Sequence, residues 1–550
     1  DLLEPSEAVR SLLISTKFGN RLSLTEADLQ NLGEPGNQIK ELMRRELLIP
    51  EDYDPLSRLI DQYVARPVQN PSLVYRSKAG EWILVRTSME HMVYSRKRNE
   101  LPLIMEEVLP SLVADIVLLA DGTRTLREIF STTRGSAANL LEDSEFRSAI
   151  DFLTSQKRQL IKFTSQLDDL NDPFAPVNTV PRNLYHSDRW NRALPDDQTG
   201  AIIDFHLHGI EEADWEFDLI EPTVNHCFRF PHEALGGLNY GSQFCRSTLR
   251  PEVVPLLEQA RQLDVLEVGG GTGSFARAFM DQATRIAETG VDRTDINYHI
   301  LDLSPALMEN QKKILSQYLP ESRHFQQDAT EFDLPDHTFD LIIANEVIAD
   351  FPIASVERSA ENGSADPKGQ GWQGDGVHYL DKYDLFVKDA PASFLLNAGA
   401  FRFLERAWKH LVPGGTLIVS EYGSERGYPV RSVHLNHDEF SIHFGHLAAC
   451  ATRIGFQCRM LTLKEFLKFD DELLVLNGRE EHILCLNHVF KNYGLGLPFA
   501  IISKSEFDEK YRGIAEQIGL SGYSFSPLSK KYHFGPNIED FLVLIMNKPQ

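Results

Sequence analysis

The stretch Leu263–Met280, LDVLEVGGGTGSFARAFM, constrains what this chain can fold into more than any other. An apolar run of strand length ends at Val268, glycines follow at 269, 270, 271 and 273, and from Ser274 onward apolar residues recur at helical spacing. A strand, a tight turn and a helix in that order need a backbone that bends sharply and lets a ligand come close, where any side chain would collide. Gly269, Gly271 and Gly273 meet that need. The segment from Gly271 to Ala276 also fits the dinucleotide pattern GxGxxA, so the glycines alone leave the ligand open. Three further strands extend the pattern. NYHILDLS ends at Asp302 and Leu303, with a carboxylate able to accept both hydroxyls of a ribose. SRHFQQDATEF ends at Asp328 and Ala329, where an adenine amine is commonly contacted, and TFDLIIANEVIADFP ends at Asn345 and Glu346. Polar groups at the carboxyl ends of successive strands mark the ligand edge of an open parallel sheet. Asp302, Asp328 and Asn345 are equally suited to cap the helices that follow them, and Glu346 to be a solvated acid at a strand end.

Composition sets the outer bounds. A chain of 550 residues predicts roughly three or four domains. Its 80 acidic and 55 basic residues leave a formal charge of −25, the wrong sign for holding a phosphate backbone, so nucleic acid is not expected as a partner. No apolar run approaches the ~18 to 20 residues of a membrane helix, and no membrane association is expected. The five cysteines, at 227, 245, 450, 458 and 485, include no CxxC pair, which argues against a disulfide framework or a cysteine zinc site and predicts a reducing, cytoplasmic setting. The sequence opens on Asp1 with neither a basic leader nor a small-residue cleavage site, so the true start is expected to be missing or processed.

Along the chain, residues 1–70 read as short helices, 71–165 as a hairpin followed by helices, 166–200 as a linker rich in Pro, Asn and Asp, and 201–550 as the domain that holds the glycine turn. Within the second region, SLVYRS and EWILVRT alternate as a hairpin around KAG; a helix, an Asp121-Gly122 turn, two more helices and a strand complete a small winged helix. Over about residues 72–165, and in the turn Asp121, Gly122, Thr123, Arg124, Thr125, this region resembles the PqqD-like peptide-recognition domain; a generic helical bundle is the other reading. The resemblance implies an exposed strand edge that captures a leader peptide by strand addition.

Glu267 ahead of the first glycine, then Asp302, Asp328 and Asn345-Glu346, together resemble a class I S-adenosylmethionine-dependent methyltransferase; dehydrogenases lack the fourth element. The resemblance implies a Rossmann-like α/β domain with a mostly parallel seven-stranded sheet. It also implies S-adenosyl-L-methionine as cofactor, S-adenosyl-L-homocysteine as product, and Glu267, Gly269, Gly271, Gly273, Asp302, Leu303, Asp328, Ala329 and Asn345 as its binding residues. From about 250 to 470 the chain is similar to the MidA-like family, which includes a mitochondrial complex I assembly arginine methyltransferase: IIANEVIADFPIASV, LVPGGTLIVSEYGSERG and HDEFSIHFGHLAACATRIGFQCRMLTLKEFL carry the similarity. The family's aspartate in the first segment falls on Ala349, with Asp350 one position on, and Glu421 stands for its strand aspartate.

Methyl transfer is an in-line displacement that asks mainly for alignment and exclusion of water. A carboxylate at Glu346, with Asp350 and Glu421, would orient a nitrogen and spread its charge, which suits an arginine whose pKa lies far above neutrality. Glu346, Asp350 and Glu421 are therefore the candidate catalytic residues, and Tyr240 and Tyr422 the candidates to meet the substrate. A peptide or protein nitrogen is the expected acceptor, in the setting of a leader-guided natural-product peptide maturase. Two other readings stand: a catalytically silent S-adenosylmethionine-binding assembly factor, and a metal-dependent enzyme using His206, His208, His226 and His232 with Asp214 and Glu221, whose spacings match no helix or hairpin ligand pattern. Residues 355–380 form a Gly- and Ser-rich insertion expected to be a lid or a disordered loop beside the substrate, and a C-terminal extension from about 470 ends in the strand DFLVLIMNK. The Asn/Asp-Pro-Pro-aromatic motif of base-amine methylation is absent at the fourth strand.

Overall fold

The computed structural model describes residues 63–67, 72–87, 104–120, 123–135, 143–154, 160–165, 223–258, 262–288, 295–320, 323–359, 371–388, 390–434, 437–478, 480–530 and 537–550. The chain divides into two units, one made of residues 1–66 and 119–173, the other of 67–118 and 174–550. The stretch 71–165 that the sequence groups as one domain is therefore shared between them.

In the first unit, strand Tyr63–Pro67 pairs with Ile161–Ser165, and helices Leu126–Arg134 and Ser144–Thr154 lie between them in sequence. The first helix starts where it does because Thr125 caps it. The Thr125 hydroxyl accepts from the Glu128 amide at 3.3 Å while Glu128 reaches back to the Thr125 amide at 2.7 Å, a reciprocal box that satisfies two otherwise orphaned donors. Phe130 and Phe146 meet edge to face with centroids 4.9 Å apart, and Leu126, Ile129, Ile150 and Leu153 of the same two helices are buried. Asp121 and Gly122 lie outside the described residues.

The second unit holds the hairpin Ser72–Arg76 and Trp82–Thr87, extended by Ile104–Leu109 into a three-stranded antiparallel sheet. Val74 exchanges both backbone bonds with Ser521, and Arg76 donates to Ile518, so these strands are built into the C-terminal part of the chain.

The main sheet comprises β1 (Gln262–Val268), β2 (Asp295–Asp302), β3 (His324–Gln326), β4 (Phe339–Asn345), β5 (Leu411–Ser424), β6 (Gln457–Thr462) and β7 (Phe541–Asn547) in the spatial order 3-2-1-4-5-7-6. The pairs joining β1 to β5 are parallel, and β7 runs antiparallel to both its neighbours. The short strand Ile442–His443 adds to the end of β5. Leu341, Ile342, Ile343 and Ala344 of β4 are all fully buried because both faces are covered, as in any parallel sheet walled by crossover helices. Leu263, Val265, Leu341 and Ile343 pack on one face with α1 (Tyr240–Thr248), α2 (Ser274–Glu288) and the C-terminal end of α3 (Pro305–Leu315). Leu266, Val268, Ile342 and Ala344 pack on the other with α4 (Ala398–His410) and α5 (Phe444–Ile454).

The insertion after β4 is more structured than the sequence suggests. Ala354–Arg358 pairs antiparallel with Trp372–Gln373 on one side and Ser393–Leu396 on the other, and helix Val377–Tyr383 follows the middle piece. Ser393–Leu396 is a strand in which Phe394 and Leu396 face a buried layer while Ser393 stays exposed. No helix among the described residues is long and apolar enough to cross a membrane.

Candidate functional site

The order 3-2-1-4-5-7-6 reverses its winding between β1 and β4, and an open α/β sheet binds its ligand at that switch point, outside the carboxyl ends of the strands. The glycine turn leaves β1 at this place. Gly269, Gly271 and Gly273 sit at φ +74°, +49° and +84°, a left-handed region that costs other residues roughly 1–2 kcal/mol each. At Gly269 a Cβ would lie 2.5 Å from Val347 Cγ2, so the protein itself excludes a side chain. At Gly271 a Cβ would meet nothing within 4 Å. That is open space beside a half-buried turn, room for a ligand to approach the backbone.

At the end of β2, Asp302 is buried, with one carboxylate oxygen 2.9 Å from the Ser304 amide and the other 2.7 Å from Gln311 Nε2. The same Gln311 nitrogen donates to the Gly271 carbonyl at 2.8 Å, so one side chain on α3 ties the glycine turn to the acid of the second strand. Gln311 is fully buried and its Oε1 has no hydrogen-bond partner. Sequence reasoning missed it, since no short motif marks a glutamine nine residues after Asp302. Ser304 caps α3 and Pro305 occupies its first turn, which fixes where that helix begins. Leu303 is half-buried at the same strand end.

Beyond β3, Asp328 accepts from the Thr330 amide at 2.7 Å and Ala329 is buried, so Asp328 does take the turn-capping role that its sequence position allows. Glu267 points away from solvent, 2% exposed, and accepts from the Tyr298 hydroxyl at 3.1 Å; desolvation pushes its carboxyl up to about 8. The candidate for cofactor contact is thus a neutral acid inside the core below the turn.

At the end of β4, the Asn345 side chain accepts from the Tyr240 hydroxyl at 2.7 Å and donates to Glu346 at 3.3 Å. Tyr240, expected to meet substrate, is fully buried at the start of α1, and burial with the nearby Glu346 charge raises its hydroxyl well above the ordinary value. Glu346 sits at φ +53°. Its carboxylate accepts from the Val224 amide at 2.8 Å and the Asn225 amide at 3.4 Å, and desolvation pushes it up to about 7 against the lowering effect of those amides. Glu421, on β5, is buried and accepts from the amides of Ala349 at 3.2 Å and Tyr422 at 2.9 Å; burial raises its carboxyl, and the charges of Glu346, Glu439 and Asp350 raise it further. Tyr422 is part-buried and shares a 3.0 Å hydrogen bond with Ser432. The structure therefore brings Glu346, Asp350 and Glu421 together and adds Glu439, which lies 18 residues past Glu421 on a separate hairpin and carries no sequence signal.

The histidines within reach serve local structure: His226 Nε2 lies 3.2 Å from the Phe499 carbonyl, and His232 caps a 3-10 turn through the Ala234 amide. His206, His208, Asp214 and Glu221 lie outside the described residues. A cavity of about 450 Å³, lined by Phe230, His232, Ile501 and Tyr511 among others, includes neither the glycine turn nor the strand ends.

Residues 251–428 match the family model described as "Putative S-adenosyl-L-methionine-dependent methyltransferase". Among solved structures, a Burkholderia thailandensis protein bound to S-adenosyl-homocysteine matches at 16% identity over 58% of this chain and 82% of that one, TM-score 0.33. A native crystal structure of a Burkholderia thailandensis protein gives 16% identity over 63% and 85%, TM-score 0.34. Haemonchus contortus phosphoethanolamine N-methyltransferase 2 in complex with S-adenosyl-L-methionine gives 14% identity over 62% and 61%, TM-score 0.29. No curated protein matches the sequence. The sheet order, the glycine turn and the matched segment define a class I S-adenosyl-L-methionine-dependent methyltransferase. Residues 251–428 run from the approach to β1 to just past the end of β5, and S-adenosyl-L-methionine is the cofactor. The residues present suit that group: Asp302 would accept from the ribose hydroxyls, the space at Gly271 would admit the nucleoside, and Asp328 with the small Ala329 would face the adenine.

Proposed function

We propose that this methyltransferase acts on a nitrogen of a peptide or protein, with an arginine side chain as the preferred acceptor. The observation that carries the reading is the grouping of Glu346, Asp350, Glu421 and Glu439 at the carboxyl ends of β4 and β5, where Glu421 is held above its ordinary pKa by burial and by the other three. Glu346 and Glu421 are desolvated, and acids grouped around such a pair favour a cationic guest, because one guanidinium relieves several repulsions at once. When bound, S-adenosyl-L-methionine supplies an electrophilic methyl group. The chain's own residues have to hold the acceptor nitrogen in line, keep water out, and take the proton that nitrogen loses. A free arginine does not give up that proton near neutral pH. Glu346, with its carboxyl at about 7, is matched to receive it.

The similarity to the MidA-like family supports arginine, and the PqqD-like segment supports a peptide. Ile104–Leu109 pairs with Trp82–Thr87 alone among the described strands, which leaves its other edge for an added peptide strand. Incubation with methyl-labelled cofactor and peptides that present arginine, lysine or an N-terminal amine, followed by mass spectrometry, tests the proposal. Label on arginine alone supports it, and label confined to small metabolites overturns it.

A further inference from the structure

Thr223–Phe228 crosses the crevice between β1 and β4, and it is tied to both banks. On the β4 side, Glu346 Oε2 accepts from the Val224 amide at 2.8 Å and Oε1 from the Asn225 amide at 3.4 Å. On the β1 side, Asn225 Nδ2 donates to Ser274 Oγ at 3.1 Å; Ser274 is the first residue of α2 and its hydroxyl also meets Thr272 Oγ1 of the glycine turn at 3.2 Å. Behind these ties, the Tyr240 amide donates to the Phe228 carbonyl while the Tyr240 hydroxyl reaches Asn345 at the end of β4. Within the segment, Thr223 accepts from the His226 amide and shapes a single helical turn. Glu346 holds a left-handed backbone, and its own amide donates to the Ser420 carbonyl at 2.8 Å. A non-glycine residue stays in that region only where its surroundings over-determine it.

We infer that Thr223–Phe228 is a strap over the cofactor cleft, anchored on the β4 side by the amides that Glu346 accepts and latched on the β1 side by Asn225, a positioning residue that keeps the bound nucleoside in place and leaves the acceptor to approach from the β5 side. The inference rests on the methyltransferase reading, which puts the nucleoside's contacts from the glycine turn toward Asp302 and Asp328, whose strands lie on the opposite flank of β1 from β4. What remains between β1 and β4 is the end where methyl transfer takes place, and the strap lies there. Asn225 stands outside the matched segment, so family patterns do not mark it.

Stopped-flow displacement of S-adenosyl-L-homocysteine from the full chain tests the strap. Asn225→Ala removes the hydrogen bond to Ser274, and Ser274→Ala removes that bond together with the one from Thr272, so each is expected to release the ligand at least about three- to tenfold faster, the factor carried by a typical bond of this kind. The double variant is expected to be no faster than Ser274→Ala alone, since the shared bond is lost once. Asn225→Asp, which the Ser274 hydroxyl can bridge as donor, is expected to restore slow release. Hydrogen exchange adds a readout that a purely structural role would not move: the Val224 and Asn225 amides are expected to exchange more slowly with ligand bound. Release at the wild-type rate in both single variants overturns the strap alone. A wild-type chain that binds no S-adenosyl-L-homocysteine overturns the cofactor reading and the strap with it.

Discussion

Replacing Glu267 by Gln is expected to stabilise the protein, and to do so more as pH rises. Glu267 is 2% exposed and its carboxyl stands at about 8 against an ordinary 4.5, chiefly through desolvation. A group whose folded pKa is raised holds its proton in the folded state while the unfolded chain has already released it, so stability falls as pH climbs through the window from about 4.5 to about 8. Each pKa unit corresponds to about 1.4 kcal/mol, which puts the cost of keeping this acid buried at about 1 kcal/mol at pH 5 and about 4 kcal/mol at pH 8. The substituted amide has nearly the same shape, carries no proton to lose, and can still accept from the Tyr298 hydroxyl. The gap between variant and wild type should therefore widen by about 3 kcal/mol from pH 5 to pH 8, or about 3 °C in Tm for a unit of 429 residues. Thermal unfolding of the two proteins side by side at the two pH values measures it, and comparing variant with wild type cancels every other titrating group. A Tm difference that stays flat across that range would refute the reasoning, since it would mean the acid ionises inside the fold as readily as outside it.

Three further outcomes follow from the geometry. Gly271→Ala adds a methyl group that meets nothing in the protein, so melting should change by no more than about 1–2 kcal/mol for the left-handed backbone, while calorimetry should show S-adenosyl-L-homocysteine affinity falling at least about tenfold. The logarithm of kcat/KM should rise with pH and level off near pH 7 as Glu346 ionises to take the acceptor's proton, and Glu346→Gln should abolish that limb of the profile. Thr125→Ala breaks the capping box of Leu126–Arg134 and should cost the first unit about 1 kcal/mol, seen as faster amide exchange in that helix with no change in cofactor affinity.

The strands and the glycine turn that follows the first of them are legible in the sequence. The glycine run needs positive φ, and positive φ at three spaced positions leaves a local signature; Asp302 and Asn345 end β-strands whose apolar runs are themselves plain. What the sequence hid is the wiring across elements. Gln311 joins the turn to Asp302 from the middle of a helix, Asn225 joins a segment 49 residues upstream to Ser274, and Glu439 enters the acidic group from a hairpin. Such contacts depend on three-dimensional register, which no spacing rule encodes. Burial misled the reading in one systematic way: Tyr240 and Glu267 are polar residues near strand ends, and both look like ligand contacts until their partners, Asn345 and Tyr298, are found inside the fold. The strand Ser393–Leu396 was hidden for a different reason, because four residues between a proline and a helix are too few to show a period of two.

The central claim is that the nucleoside lies over the 269–273 turn with its sugar held by Asp302. Calorimetric titration of S-adenosyl-L-homocysteine into wild type and Asp302→Ala tests it most directly. The account predicts one site in wild type and binding about ten- to a hundredfold weaker in the variant, the effect of losing hydrogen bonds to a charged acceptor. Equal affinity in the two proteins, or no heat with wild-type protein that melts cooperatively, would contradict it.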